Sequence, residues 1–70
     1  MLKNETIKDI YNRNVFVGQQ VGVLVKEYGY RKISNVYLVR ATYLGKGQYG
    51  YVFKNQGGEF NIREPQVMKK

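Results

Sequence analysis

Few residues in this chain could carry chemistry. The carboxylates stand at Glu5, Asp9, Glu27, Glu59 and Glu64, and no two share a spacing that would pair an acid with a base or gather ligands round a cation. Ser34 is the single serine, and the chain has no His to activate it and no Cys to serve as thiol nucleophile, zinc ligand or disulfide. No catalytic residue, metal site or cofactor is therefore expected. Two stretches remain. "LGKGQYGYVFK", Leu44 to Lys54, spells G-x-G-x-x-G-x-V through Gly45, Gly47, Gly50 and Val52. "KEYGYRK", Lys26 to Lys32, would place Lys26, Tyr28, Tyr30 and Lys32 on one side if extended, with Glu27 and Arg31 on the other.

The glycine stretch resembles the phosphate-covering loop of protein kinases. That family also needs a lysine on the next strand, an acidic partner on a helix, a catalytic aspartate in H-R-D and a metal-binding aspartate in D-F-G. This chain has Asp9 alone, no His and no room for a second lobe. The resemblance therefore carries no activity over, and the stretch reads as a glycine turn joining two strands. Its consecutive N–H groups could still form an anion nest beside Lys46.

The Lys/Tyr stripe suits single-stranded nucleic acid, since tyrosine faces stack on bases while lysines neutralise phosphates. Lys46, Tyr49 and Lys54 would extend it from the neighbouring hairpin. The competing reading is plainer: Tyr28 and Tyr30 cap one end of a barrel with wet hydroxyls, and the lysines keep a loop soluble.

These side chains must be positioned by a small scaffold. Seventy residues make one domain, 1–70, and so short a chain buries only about 60% of its unfolded surface. Residues 4–13 read as a short N-terminal α-helix, because Ile7, Ile10 and Tyr11 recur at i, i+3 and i+4, with Asn4 or Thr6 as the cap. From Val15 to residue 68 the texture is β-branched and aromatic, punctuated by glycine. Five strands are expected, at "VFV" 15–17, "QVGVLVKEY" 20–28, "NVYLVRATYLG" 35–45, "YGYVFKN" 49–55 and "EFNIR" 59–63. Val21, Val23 and Val25 share one face, and Tyr37, Tyr43, Tyr51 and Phe53 alternate into the core. Arg40 faces the other way, with Arg63 as a candidate neighbour. After Glu64 one helical turn is expected, with Pro65 at N1 and Val67 packing on the core.

This spacing predicts a mainly β fold, a small five-stranded antiparallel barrel or strongly curved sheet with one helix. The order of strands resembles an SH3-like small barrel.

Twelve Lys and Arg against five Asp and Glu give a net charge of +7. That balance favours a polyanionic partner. The expected function is a non-enzymatic basic module that binds nucleic acid through Lys26, Tyr28, Tyr30, Arg31, Lys32, Lys46, Tyr49 and Lys54. The alternative is a phage or mobile-element accessory protein that docks on an acidic surface of a host protein and modulates it. The usage of Lys, Asn, Ile, Tyr and Phe suits an AT-rich genome of that kind. The first residues carry no signal-peptide core and no membrane span, so a cytoplasmic location without membrane contact is expected. Self-association through the apolar face of Ile7, Ile10 and Tyr11 fits either reading.

Overall fold

A computed structural model describes residues 2–69, and of Ile33 and Ser34 the backbone. It contains seven strands: β1 (Ile7–Lys8), β2 (Asn14–Val15), β3 (Gln20–Tyr28), β4 (Ile33–Gly47), β5 (Gly50–Asn55), β6 (Gly58–Ile62) and β7 (Val67–Lys69). β3 to β6 form an antiparallel meander, and β7 returns to pair with β3, giving the order β6-β5-β4-β3-β7. β1 and β2 make a separate two-stranded ribbon.

The alternation in β3 and β4 decides which face is buried. Val21 pairs with Ala41 and Val23 with Val39, which puts their side chains on the inner face, while Gly22, Leu24, Leu38 and Arg40 take the outer one. Tyr43 and Phe53 face each other across β4 and β5 and are fully buried, with ring centroids 5.4 Å apart. Phe60 stacks on Phe53 from β6, and Val67 seals the cluster from β7 at the other edge. Side chains from both edges thus meet in one core, so the sheet curls. Among the described residues β6 and β7 do not pair with each other, and the sheet stays open rather than closing as a barrel. β7 has only three residues, Val67 included, which pair with β3 at Val21–Val23.

The expected helix at 4–13 is absent; among the described residues there is no helix at all. The reason lies in Asp9. Its Oδ1 accepts hydrogen bonds from the Tyr11 N–H at 3.0 Å and the Arg13 N–H at 2.8 Å, while its Oδ2 accepts from Arg13 Nε at 2.9 Å and the Lys69 N–H at 3.1 Å. Asn12 adopts a left-handed φ of 62°, and the Asp9 N–H donates to the Arg13 carbonyl. Local Asp and Asn bonding of this type competes directly with helix formation, and a ten-residue helix has little cooperativity to resist it. The segment is a hairpin in which Ile7 and Val15 are buried while Ile10 and Tyr11 are exposed, so the helical face expected to self-associate does not exist.

Two smaller corrections concern strand ends. Phe16 and Val17 leave β2 for a turn in which Gly18, at φ 96°, donates to the Tyr43 carbonyl. Residues 63–64 form a bend and 65–66 are irregular, with no helical turn, because the Gln66 carbonyl is committed to the Leu24 N–H and the Val67 carbonyl to the Ile10 N–H. Val67 nevertheless packs in the core as its position requires.

The buried Tyr43 hydroxyl donates to the Glu5 carbonyl at 2.5 Å. Burial, with the Glu5 carboxylate and Tyr51 nearby, raises its pKa.

Candidate functional site

β3 and β4 outrun their neighbours. β7 covers β3 only at Val21–Val23, and β5 covers β4 only from Thr42 onward, so the rest of the β3–β4 hairpin is a two-stranded arm. Lys26 pairs with Val36, Glu27 with Asn35 and Tyr28 with Ile33, which leaves Ser34 as the extra residue of a bulge on β4. The Gly29 N–H donates to the Lys32 carbonyl at 2.8 Å, and Arg31 closes the turn with a φ of 65°. A non-glycine residue in that region is uncommon and tends to sit where the backbone presents a side chain. The arm therefore ends in a tight turn of cations and rings.

Tyr28 is 70% exposed and Tyr30 85%. The Arg31 guanidinium lies 5.2 Å from the Tyr30 ring centroid, a cation–π contact at the tip. Lys26, Arg31 and Lys32 are exposed as well. The expected strict alternation holds only as far as Tyr28, since residues 29–32 are turn rather than strand. The five residues Lys26, Tyr28, Tyr30, Arg31 and Lys32 still share one end of the arm. Tyr37, expected in the core, belongs to this arm too; it is 46% exposed, and its hydroxyl donates to Glu27 Oε2 at 3.1 Å. Ser34 has its side chain outside the described atoms.

The remaining three predicted residues lie elsewhere. Gly47 pairs with Gly50 to close the β4–β5 turn, so the glycine-rich stretch is a hairpin at the opposite end of β4. Tyr49 sits in that turn, and Lys46 Nζ lies 5.5 Å from the Tyr51 ring centroid. The Lys46 N–H is already donated to the Lys3 carbonyl, which removes one donor from the suggested anion nest. Lys54 pairs with Thr42 on the outer face, where a polar cleft of about 660 Å³ also takes in Gln20 and Arg40. The structure thus gathers five of the eight and separates Lys46 and Tyr49 from them by the length of β4.

Two features escaped the sequence reading. The first is an open groove of about 810 Å³ between the β6 edge and the end of β3, floored by Val25, Val39, Phe60 and Ile62 and rimmed by Lys26, Asn61 and Glu64. It exists because the barrel is not closed, which strand spacing could not reveal. The second is the apolar outer surface of the arm, with Val36 55% and Leu38 56% exposed. Its signal was the alternation of Val36 and Leu38 against Tyr37 and Val39.

Among the described residues, no group of three acidic, His or Cys side chains could hold a metal ion, and no helix is long and apolar enough to cross a membrane. Comparison with known protein families, curated proteins and solved structures returns no match.

Proposed function

We propose that this chain is a non-enzymatic binding module that takes single-stranded nucleic acid on the tip of the β3–β4 arm. The observation that carries the reading is the turn itself, where Tyr28 and Tyr30 stand exposed among Lys26, Arg31 and Lys32. Exposed rings on a projecting two-stranded ribbon offer a stacking platform, and the surrounding cations supply the phosphate contacts and the salt dependence. In this reading the five-stranded sheet is an opened variant of the SH3-like small barrel, and the Arg40–Lys54 cleft is a secondary phosphate contact.

The test is binding of nuclease-treated protein to labelled single-stranded DNA, duplex DNA and RNA across a salt series. Replacing Lys26, Arg31 and Lys32 together with Ala should weaken single-strand binding and flatten the log–log salt slope by about 2, three contacts at roughly 0.7 each. Unchanged affinity in that variant would sink the assigned site.

A second reading has its own observation, the 810 Å³ groove with its apolar floor. Under it the chain docks on a host protein, the positive charge steering it to an acidic patch, as a phage or mobile-element accessory factor in the host cytoplasm. Absence of nucleic-acid binding near physiological salt, with stoichiometric capture of one acidic protein that competes with groove substitutions, would favour it.

A further inference from the structure

The outer face of the sheet carries an order of side chains that continues well past the arm tip. Along β3 that face shows Gln20, Gly22, Leu24 and Lys26, with Tyr28 next by alternation, and along β4 it shows Val36, Leu38, Arg40 and Thr42. No acidic side chain stands between Lys26 and Arg40 on it. Glu27 falls on the opposite face, where it accepts a hydrogen bond from the Tyr37 hydroxyl.

Lys54 joins the far end of this face, because Thr42 is flanked by Gln20 on β3 and by Lys54 on β5. Arg40 and Lys54 both line the polar cleft of about 660 Å³, both are exposed, and among the described residues neither makes an ion pair. Glu59 lies opposite Lys54 on β6 and leaves it unpaired. Cations thus stand at both ends of a face whose middle is apolar, with Val36 and Leu38 more than half exposed. Gly22 sits in that middle with no bulge in the register and no left-handed φ to require it. A Cβ there would come within 3.0 Å of Leu38 Cδ1, so glycine lets Leu38 lie close over β3. A glycine inside a strand weakens it, and one of its uses is to let another chain approach the backbone closely.

We propose that a single strand of nucleic acid runs along this outer face from Tyr28 to the Arg40–Lys54 cleft, its phosphates held at the two cationic ends and its bases laid on Val36 and Leu38. This path rests on the single-strand binding proposed above and extends it in length. A strand with charge on its backbone and apolar ring faces matches the order cation, apolar, cation. A duplex keeps its ring faces stacked inside and offers nothing to the apolar middle, so the face selects single strands. Tyr28 stands eight residues along β3 from Gln20, whose row holds Lys54, roughly 26 Å at about 3.3 Å per residue. A stacked strand advances about 3.4 Å per nucleotide, so the path takes at most about eight, and fewer as bases splay apart. The expected footprint is about four to eight nucleotides, where a site confined to the tip would be filled by about two or three.

The test is fluorescence anisotropy of nuclease-treated full-length protein with labelled oligothymidylates of about two to twelve nucleotides, at several salt concentrations. Affinity should climb through about four to eight nucleotides and then level. Arg40→Ala with Lys54→Ala should weaken binding of the longer strands about 10-fold and flatten their log–log salt slope by about 1.4, two contacts at roughly 0.7 each, while trinucleotide binding stays unchanged. Lys8→Ala with Arg63→Ala removes the same charge from other exposed positions and should leave that slope in place. Leu38→Glu, outside the core cluster, should weaken long strands alone without altering the circular dichroism spectrum. A plateau by about three nucleotides, wild-type binding of long strands by the cleft variant, or equal flattening by the two double variants would overturn the path while leaving tip binding intact. Absence of binding at every length would overturn the tip site and the path together.

Discussion

The molecule contains two ribbons of the same kind with opposite fates. The β1–β2 ribbon has only two residues per strand, yet it is clasped to the body. Ile7 and Val15 enter the core, the Ile10 N–H bonds the Val67 carbonyl, and Asp9 reaches Lys69. The β3–β4 arm is far longer and touches little beyond itself, with Tyr28, Tyr30, Val36 and Leu38 at the surface. Length did not decide which ribbon was absorbed. The polar groups of the turn did: those of the first are bonded to the last strand, while the cations of the second point outward.

Substitutions can break or sharpen that contrast. The largest effect is expected for Ile7→Ala, which opens a cavity under the clasped ribbon and should cost about 2–4 kcal/mol in urea denaturation; Val36→Ala on the arm should cost well under half of that. Gly45→Ala should follow, at about 1–3 kcal/mol. Gly45 lies at φ 123°, and a Cβ there would collide with the Lys3 carbonyl oxygen, whose residue is bridged to Lys46 by reciprocal backbone hydrogen bonds.

Acid should separate the ribbons next. Burial raises the pKa of Asp9, but the hydrogen bonds from the Arg13 and Lys69 N–H groups, the Arg13 side chain and the Tyr11 N–H outweigh it and hold the group at about 2, below its ordinary 3.8. The folded pKa is depressed, so this contribution to stability is fully present above pH 3.8 and is lost as pH falls towards 2. The pH dependence of the urea midpoint in that window should shrink in Asp9→Asn. The smallest effect is predicted for Tyr30→Ala, within about 0.5 kcal/mol of wild-type stability. Binding of a single strand should nevertheless fall several-fold if the ring stacks on a base, an outcome read by fluorescence anisotropy. A clasped ribbon that tolerated Ile7→Ala as readily as the arm tolerates Tyr30→Ala would erase the distinction.

Much of the sheet was legible in single stretches. β3 was readable residue for residue because Val21, Val23 and Val25 alternate with Gln20, Gly22, Leu24 and Lys26, and the β5–β6 turn because Gly57 and Gly58 separate two alternating runs. Residues 4–13 misled because three apolar residues at helical spacing fit a helix face and a short hairpin equally well. What settled the matter was Asp9, bonded locally to Tyr11 and Arg13 and also to Lys69, a partner 60 residues away. Tyr37 illustrates a second limit: its alternation predicts the correct face, but burial depends on where β5 and β7 stop. For the candidate site, chain proximity brought Lys26 to Lys32 together, whereas placing Lys46 and Tyr49 needed the full length of β4.

The clasp also has a consequence in time. A meander of neighbouring hairpins closes small loops and can assemble early, but the Asp9–Lys69 contact closes nearly the whole chain and pays its loop entropy before any return. The clasped ribbon and β7 should thus be among the last elements to consolidate, leaving low φ-values at Ile7 and Val67 and high ones at the β4–β5 hairpin. Weakening the clasp would speed unfolding far more than it slowed folding, so the same carboxylate that fixes the first ribbon in space also sets the lifetime of the native state.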